Sequence, residues 1–105
     1  VLEAEFQKEV VALAKLTGWL VMHTRPALNQ SGKWSTPIQG HKGFPDLVLS
    51  HRNRGTVFAE LKAEKGRLSP EQKIWLEVLA ESGCEVHVWR PSDMQEIADR
   101  FQRKT

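Results

Sequence analysis

Apolar residues recur at helical spacing at the start of the chain: Leu2, Phe6, Val10 and Leu13, with lysine and glutamate between them. That spacing predicts a helix over residues 2–17 with one apolar stripe, and Gly18 is a natural stop. Trp19-Leu20-Val21-Met22-His23 is a short apolar run that reads as a strand. Residues 25–44 change character. Pro26, Asn29, Ser31, Gly32, Ser35, Pro37, Gly40 and Gly43 interrupt them, and no period survives. They read as an irregular loop of about 20 residues, a length that in an ordered domain often serves function.

Periodicity then returns. Asp46 to Ser50 predicts a second strand, His51 to Gly55 a polar turn, and Thr56 to Lys62 a third strand, antiparallel to the second if the turn makes a hairpin. Ser69-Pro70-Glu71-Gln72 is a helix start, with serine at the cap, proline in the first position and glutamine placed for a capping box. That helix runs to about Ser82, with Trp75 and Leu79 facing inward and Gly83 ending it. Glu85 to Trp89 predicts a fourth strand, and Pro91-Ser92-Asp93 opens a last helix carrying Met94, Ile97, Ala98 and Phe101. The order is α-β-β-β-α-β-α. It implies an α/β fold, a mixed four-stranded sheet flanked by helices. The fourth strand follows a helix, so a right-handed crossover lets it pair parallel with an earlier strand.

Composition narrows the setting. The 105 residues fit one domain spanning 1–105, and 40% hydrophobic with 27% charged residues is ordinary globular usage. One cysteine, Cys84, excludes an internal disulfide and a cysteine zinc cluster, and favours a reducing, cytoplasmic setting. No apolar run approaches the roughly 18 residues that cross a bilayer, and the first residues do not resemble a secretion signal, so no membrane is expected. The net charge of +2 is too mild to announce a nucleic-acid binder. Two local basic clusters, 51–54 and 100–104, read first as solvated surface. The histidines at 23, 41, 51 and 87 fit no helical zinc pair. His87 reads as a half-buried strand residue, and His23, at the end of the first strand, as a neighbour of any site there.

The candidate chemistry lies in Asp46 and in Glu60-Leu61-Lys62. Glu60 and Lys62 are two apart on one strand, so both point to one face. Neighbouring strands lie about 4.8 Å apart, so a hairpin brings the Asp46 and Glu60 carboxylates together. Carboxylates that close repel unless a divalent cation sits between them. Hard oxygen ligands suit Mg²⁺ or Mn²⁺, with the Leu61 carbonyl as a further ligand. Lys62 would then orient or help deprotonate the attacking water, or stabilise charge on a phosphate. Taken alone, Glu60-Leu61-Lys62 is an ordinary solvated triplet with a weak ion pair. Its conjunction with Asp46 across a short turn makes it informative. Lys33, Trp34, Lys42, Arg52, Arg54 and Lys65 are candidates for contacting phosphates or, for Trp34, stacking on a base.

Pro45-Asp46 followed by Glu60-Leu61-Lys62 resembles the PD-(D/E)XK nuclease motif. More specifically, the chain resembles the VRR-NUC (virus-type replication-repair nuclease) family. The matching stretches are Glu3 to Gln7, Gly18-Trp19, His23-Thr24-Arg25, Gly43 to Leu49, Ala59 to Lys62, Gly66 to Gln72 and Val88 to Pro91. The resemblance implies a restriction-endonuclease-like core and divalent-metal cleavage of DNA to a 5′-phosphate and a 3′-hydroxyl. It also implies work in repair, recombination or replication on branched or junction DNA, with relatives that act as homodimers. By position it makes Asp46 and Glu60 metal ligands and Lys62 the catalytic lysine. It adds an acidic ligand on the first helix, for which Glu3 is the choice, and a site role for Gln72. The alternatives are a non-catalytic DNA-binding or assembly module with the same fold, and an RNA nuclease. Segment 26–42 is longer than the simplest family pattern, which bears on substrate shape rather than chemistry.

Overall fold

The computed structural model describes residues 3–24, 27–28, 34–35 and 39–103. Helix α1 (Glu3–Leu16) leads to strand β1 (Leu20–His23), a short pair β2 (Ala27–Leu28) and β3 (Trp34–Ser35), and the hairpin β4 (Leu47–His51) and β5 (Gly55–Leu61). Helix α2 (Pro70–Glu81), strand β6 (Glu85–Trp89) and helix α3 (Met94–Gln102) complete it. Pro91–Asp93 form a 3-10 turn before α3, so the last helix begins later than its proline suggests.

The main sheet has the order β1-β4-β5-β6. β1 and β5 flank β4 antiparallel, and β6 joins β5 in parallel through the α2 crossover. This is the expected α/β fold with a mixed four-stranded sheet. One expectation is corrected: segment 25–44 is not wholly irregular, because β2 and β3 pair antiparallel, Ala27 with Ser35 and Leu28 with Trp34. Strands of two residues are too short to show alternation, so the sequence pattern carries no trace of them.

Strand alternation divides the labour between the faces. Leu47 pairs with Ala59 and Leu49 with Val57, and all four are fully buried. With Leu61 and Trp89 they form one apolar layer, closed by Phe6, Val10 and Ala14 of α1 and by Ile97 and Phe101 of α3. Phe58 and Glu60 point to the opposite face. There α2 packs, and its Trp75 meets Phe44 edge-on at 5.0 Å, while Phe44 meets Phe58 at 6.1 Å. No residue of α2 is fully buried; Trp75 and Leu79 are half-covered rather than in the core.

The end of the sheet at the β4–β5 turn is locked by two arginines. Arg54 donates to the carbonyls of Thr17 and Phe101, both at 3.0 Å. Arg100 is buried at 3% exposure. It grips Glu85 through Nε to Oε2 at 2.7 Å and Nη2 to Oε1 at 3.0 Å, and also donates to the Arg54 carbonyl at 2.7 Å. Its guanidinium lies 5.3 Å from the Trp19 ring centroid. His87 is half-buried, stacks on Trp89 and pairs with Glu85 at 2.7 Å. One sequence reading is corrected here: Arg100 is not solvated surface. Arg54 directs its Nη1 at two backbone carbonyls.

Candidate active site

Asp46 stands one residue before β4, a step beyond the Leu47–Ala59 pair, and therefore opposite Glu60. Its backbone is pinned by β1: the Asp46 carbonyl accepts from the Thr24 N–H at 3.0 Å, and Pro45 accepts from the Thr24 hydroxyl at 3.1 Å. Its carboxylate Oδ2 accepts from the Leu61 N–H at 2.9 Å. In a strand the N–H and C=O of one residue share an edge, so the Leu61 carbonyl emerges on the Asp46 side. Lys62 lies just past β5, yet its N–H still donates to the Trp89 carbonyl at 3.0 Å, so the chain is held straight through the triplet.

Glu60 is 1% exposed. Its Oε2 accepts from Gln72 Nε2 at 2.9 Å and lies 3.9 Å from the Lys62 ammonium. Its Oε1 is buried and finds no hydrogen-bond partner among the described residues. Burial, with the neighbouring Asp46 carboxylate charge, pushes the Glu60 pKa up to about 8. Lys62 opposes the shift without cancelling it. Such a carboxyl needs a proton or a cation. The donor set of two carboxylates, one of them with an orphaned buried oxygen, and a nearby carbonyl fits a hard divalent cation that keeps several waters.

The structure thus brings Asp46, Glu60, Leu61, Lys62 and Gln72 together. It does not bring Glu3 to them. Glu3 is exposed in the first turn of α1, which packs on the other face of the sheet, and among the described residues no three acidic, histidine or cysteine side chains gather to hold a cation. Arg52 is exposed in the hairpin turn; six strand steps separate Gly55 from Leu61, so it lies about 20 Å from the site. Lys42 and Lys65 are exposed on the segments that enter and leave the site. Lys33 lies outside the described residues, as does the Trp34 side chain. Gln7 ends the first matching stretch but carries no assigned role in the sequence; it is buried in α1 with its amide 3.5 Å from His23 Nδ1 at the end of β1. A lone polar residue on the apolar stripe of that helix was the available signal.

The loop before Asp46 docks on α2 through Gly43. Its φ is +97°, and a Cβ there would stand 2.6 Å from the Glu71 carbonyl carbon and 2.8 Å from Glu71 Cβ and O. Gly43→Ala should therefore destabilise the protein more than Gly40→Ala, where φ is +117° but nothing lies within 4 Å of the added carbon. The conformation alone costs about 1–3 kcal/mol at either position. Equal melting temperatures for the two variants would show that the contact with α2 is immaterial.

A mixed sheet of this topology, with Pro-Asp and Glu-x-Lys meeting at one end of its central strands, is a restriction-endonuclease-like fold of the PD-(D/E)XK type. The family comparison agrees: the model of the VRR-NUC domain matches residues 32–93, more than half of the chain, and the chain belongs to that family. It is accordingly a nuclease, a hydrolase of phosphodiester bonds. No curated protein and no solved structure gave a match.

Proposed function

We propose that the chain is a DNA endonuclease dependent on Mg²⁺ or Mn²⁺, selective for branched or junction DNA rather than for a base sequence. The observation that carries this reading is the meeting of the Asp46 and Glu60 carboxylates, with one Glu60 oxygen left without a partner. Asp46, Glu60 and the Leu61 carbonyl would hold the cation. When bound, the cation supplies a Lewis acid that lowers the pKa of a bound water and offsets charge on the phosphate. Asp46 is oriented for this by the Leu61 N–H, and Glu60 by Gln72. Lys62, half-buried beside Glu60, presents a cation that orients the attacking water or stabilises the phosphate oxygen.

Indifference to base sequence follows from which cations are left to meet DNA. Arg54 is engaged internally and Arg52 is remote, whereas Lys42 and Lys65 flank the site as point charges suited to phosphates. Lys65 projects from a turn that Arg90 staples by donating to the carbonyls of Ala63 at 2.7 Å and Gly66 at 2.8 Å. A homodimer would place two such sites on a symmetric junction.

The test is a panel of four-way junction, flap, duplex and single-stranded DNA with matched RNA, incubated with Mg²⁺ or Mn²⁺ and with EDTA. Cleavage of branched DNA that EDTA abolishes is expected. Cleavage undiminished by EDTA overturns the metal assignment, and preferential RNA cleavage overturns the substrate. A failure to cut any member while still binding DNA marks a non-catalytic module.

A further inference from the structure

Gln72 is the third residue of α2 and is held at three points. Its backbone N–H donates to Ser69 Oγ at 3.1 Å, its Oε1 accepts from the Ser69 N–H at 2.9 Å, and its Nε2 donates to Glu60 Oε2 at 2.9 Å. The first two bonds are a capping box, in which serine and glutamine satisfy each other's backbone donors. The third leaves the helix. An amide has one accepting end and one donating end. The Ser69 N–H can only donate, so it takes the oxygen, and the NH₂ group is turned to Glu60. The helix start therefore determines which way the amide faces.

That orientation has a consequence for Glu60. Oε2 is occupied by Gln72 and neighboured by Lys62, whereas Oε1 has no partner among the described residues. The same first turn of α2 also receives the Asp46-bearing loop, because Gly43 abuts Glu71. Both carboxylate-bearing segments are thus referenced to one helical turn.

We propose that the Ser69–Gln72 capping box is a positioning device for the metal site: it commits Glu60 Oε2 to the Gln72 amide and leaves Oε1 for the cation. This rests on the metal reading above. An ordinary cap would stabilise α2 and do nothing else; here the cap is the first link of a chain that ends on a ligand oxygen. Partners that orient ligands in this way typically contribute 10–100-fold in metal affinity, to order of magnitude.

The experiment is Mn²⁺ binding to the full chain without DNA, read by calorimetry and by the loss of the free-ion resonance signal. Gln72→Leu should weaken binding by about tenfold or more. Ser69→Ala should weaken it several-fold, and Ser69→Thr, which keeps a capping hydroxyl, should restore it. Ala80→Gly, near the far end of α2, is the control. It costs that helix about 1 kcal/mol, similar to loss of the cap, without touching the first turn. Its Mn²⁺ affinity should equal that of the wild type. Unchanged affinity in Gln72→Leu or Ser69→Ala overturns the positioning role and leaves the metal reading intact. So does an equal loss in Ala80→Gly, which would reduce the effect to helix stability. A wild-type protein that binds no Mn²⁺ overturns the metal reading, and the proposal with it.

Discussion

Asp46→Asn should abolish cleavage while the fold survives. The substitution keeps the shape of the side chain, and its amide oxygen can still accept from the Leu61 N–H, which Asp46 Oδ2 now does at 2.9 Å. What disappears is one negative charge from a site that already holds a second, buried carboxylate. Charge stabilisation by a bound cation is worth several kcal/mol in such reactions, and about 1.4 kcal/mol is tenfold in rate, so turnover should fall by roughly 10³-fold or more. Stability without metal should move the other way or not at all, since the neighbouring charge that disfavours ionised Glu60 is gone. Initial rates in Mg²⁺, together with thermal melts in EDTA, measure both halves. A variant that cuts at near wild-type rate removes Asp46 from the site, and one that no longer folds shows that its carboxylate was structural.

The largest effect on stability is expected away from the site, at Glu85. Arg100 is buried and its guanidinium faces Glu85 in a two-point grip, with His87 on the same carboxylate. Those bonds, Arg100 first, hold the Glu85 pKa down to about 2. Glu85→Ala leaves a buried guanidinium without its counter-charge. Breaking a fully buried pair costs about 3–5 kcal/mol; Glu85 is partly open to water, so about 2–3 kcal/mol is expected. For a domain this size that lowers the melting temperature by roughly 10–20 °C. The pH dependence has a definite sign. The folded-state pKa lies below the ordinary 4.5, so the pair's contribution is present above that pH and is lost as pH falls toward about 2. Denaturant titrations of both proteins from pH 7 to pH 2 should show the gap between them closing across that window. A gap of constant size, or none at pH 7, would mean that the pair does not hold the sheet end together.

Much of the fold was legible because its signals are local. The capping box at Ser69 and Gln72, the polar turn between two alternating strands, and the helix before β6 each announce themselves within a few residues. The pairing of Asp46 with Glu60 followed from strand spacing alone. What was hidden depends on contacts distant in sequence. Arg54 and Arg100 sit in stretches rich in basic residues, and nothing local distinguishes a solvated guanidinium from one buried against Thr17, Phe101 or Glu85. Glu3 rests on the family resemblance alone, and a place on the first helix does not say which face of the sheet that helix covers. The role of Gln72 was ambiguous for a different reason: both readings describe it, since one end of the amide caps the helix and the other holds Glu60.

Strand β5 and the residue that follows it assign alternate positions to two tasks, with Ala59 and Leu61 in the apolar layer and Glu60 and Lys62 on the face that meets α2. A slip of one residue against β4 would exchange the two sets entirely. Two charged groups would enter the oil and two aliphatic groups would take their places beside Gln72. No intermediate pairing preserves half of the arrangement. On the proposed roles of Glu60 and Lys62, catalytic competence is therefore a two-valued report on strand pairing. The specific activity of a refolded sample counts the molecules whose hairpin closed in the native alignment, a distinction to which helix-dominated spectroscopic signals are blind.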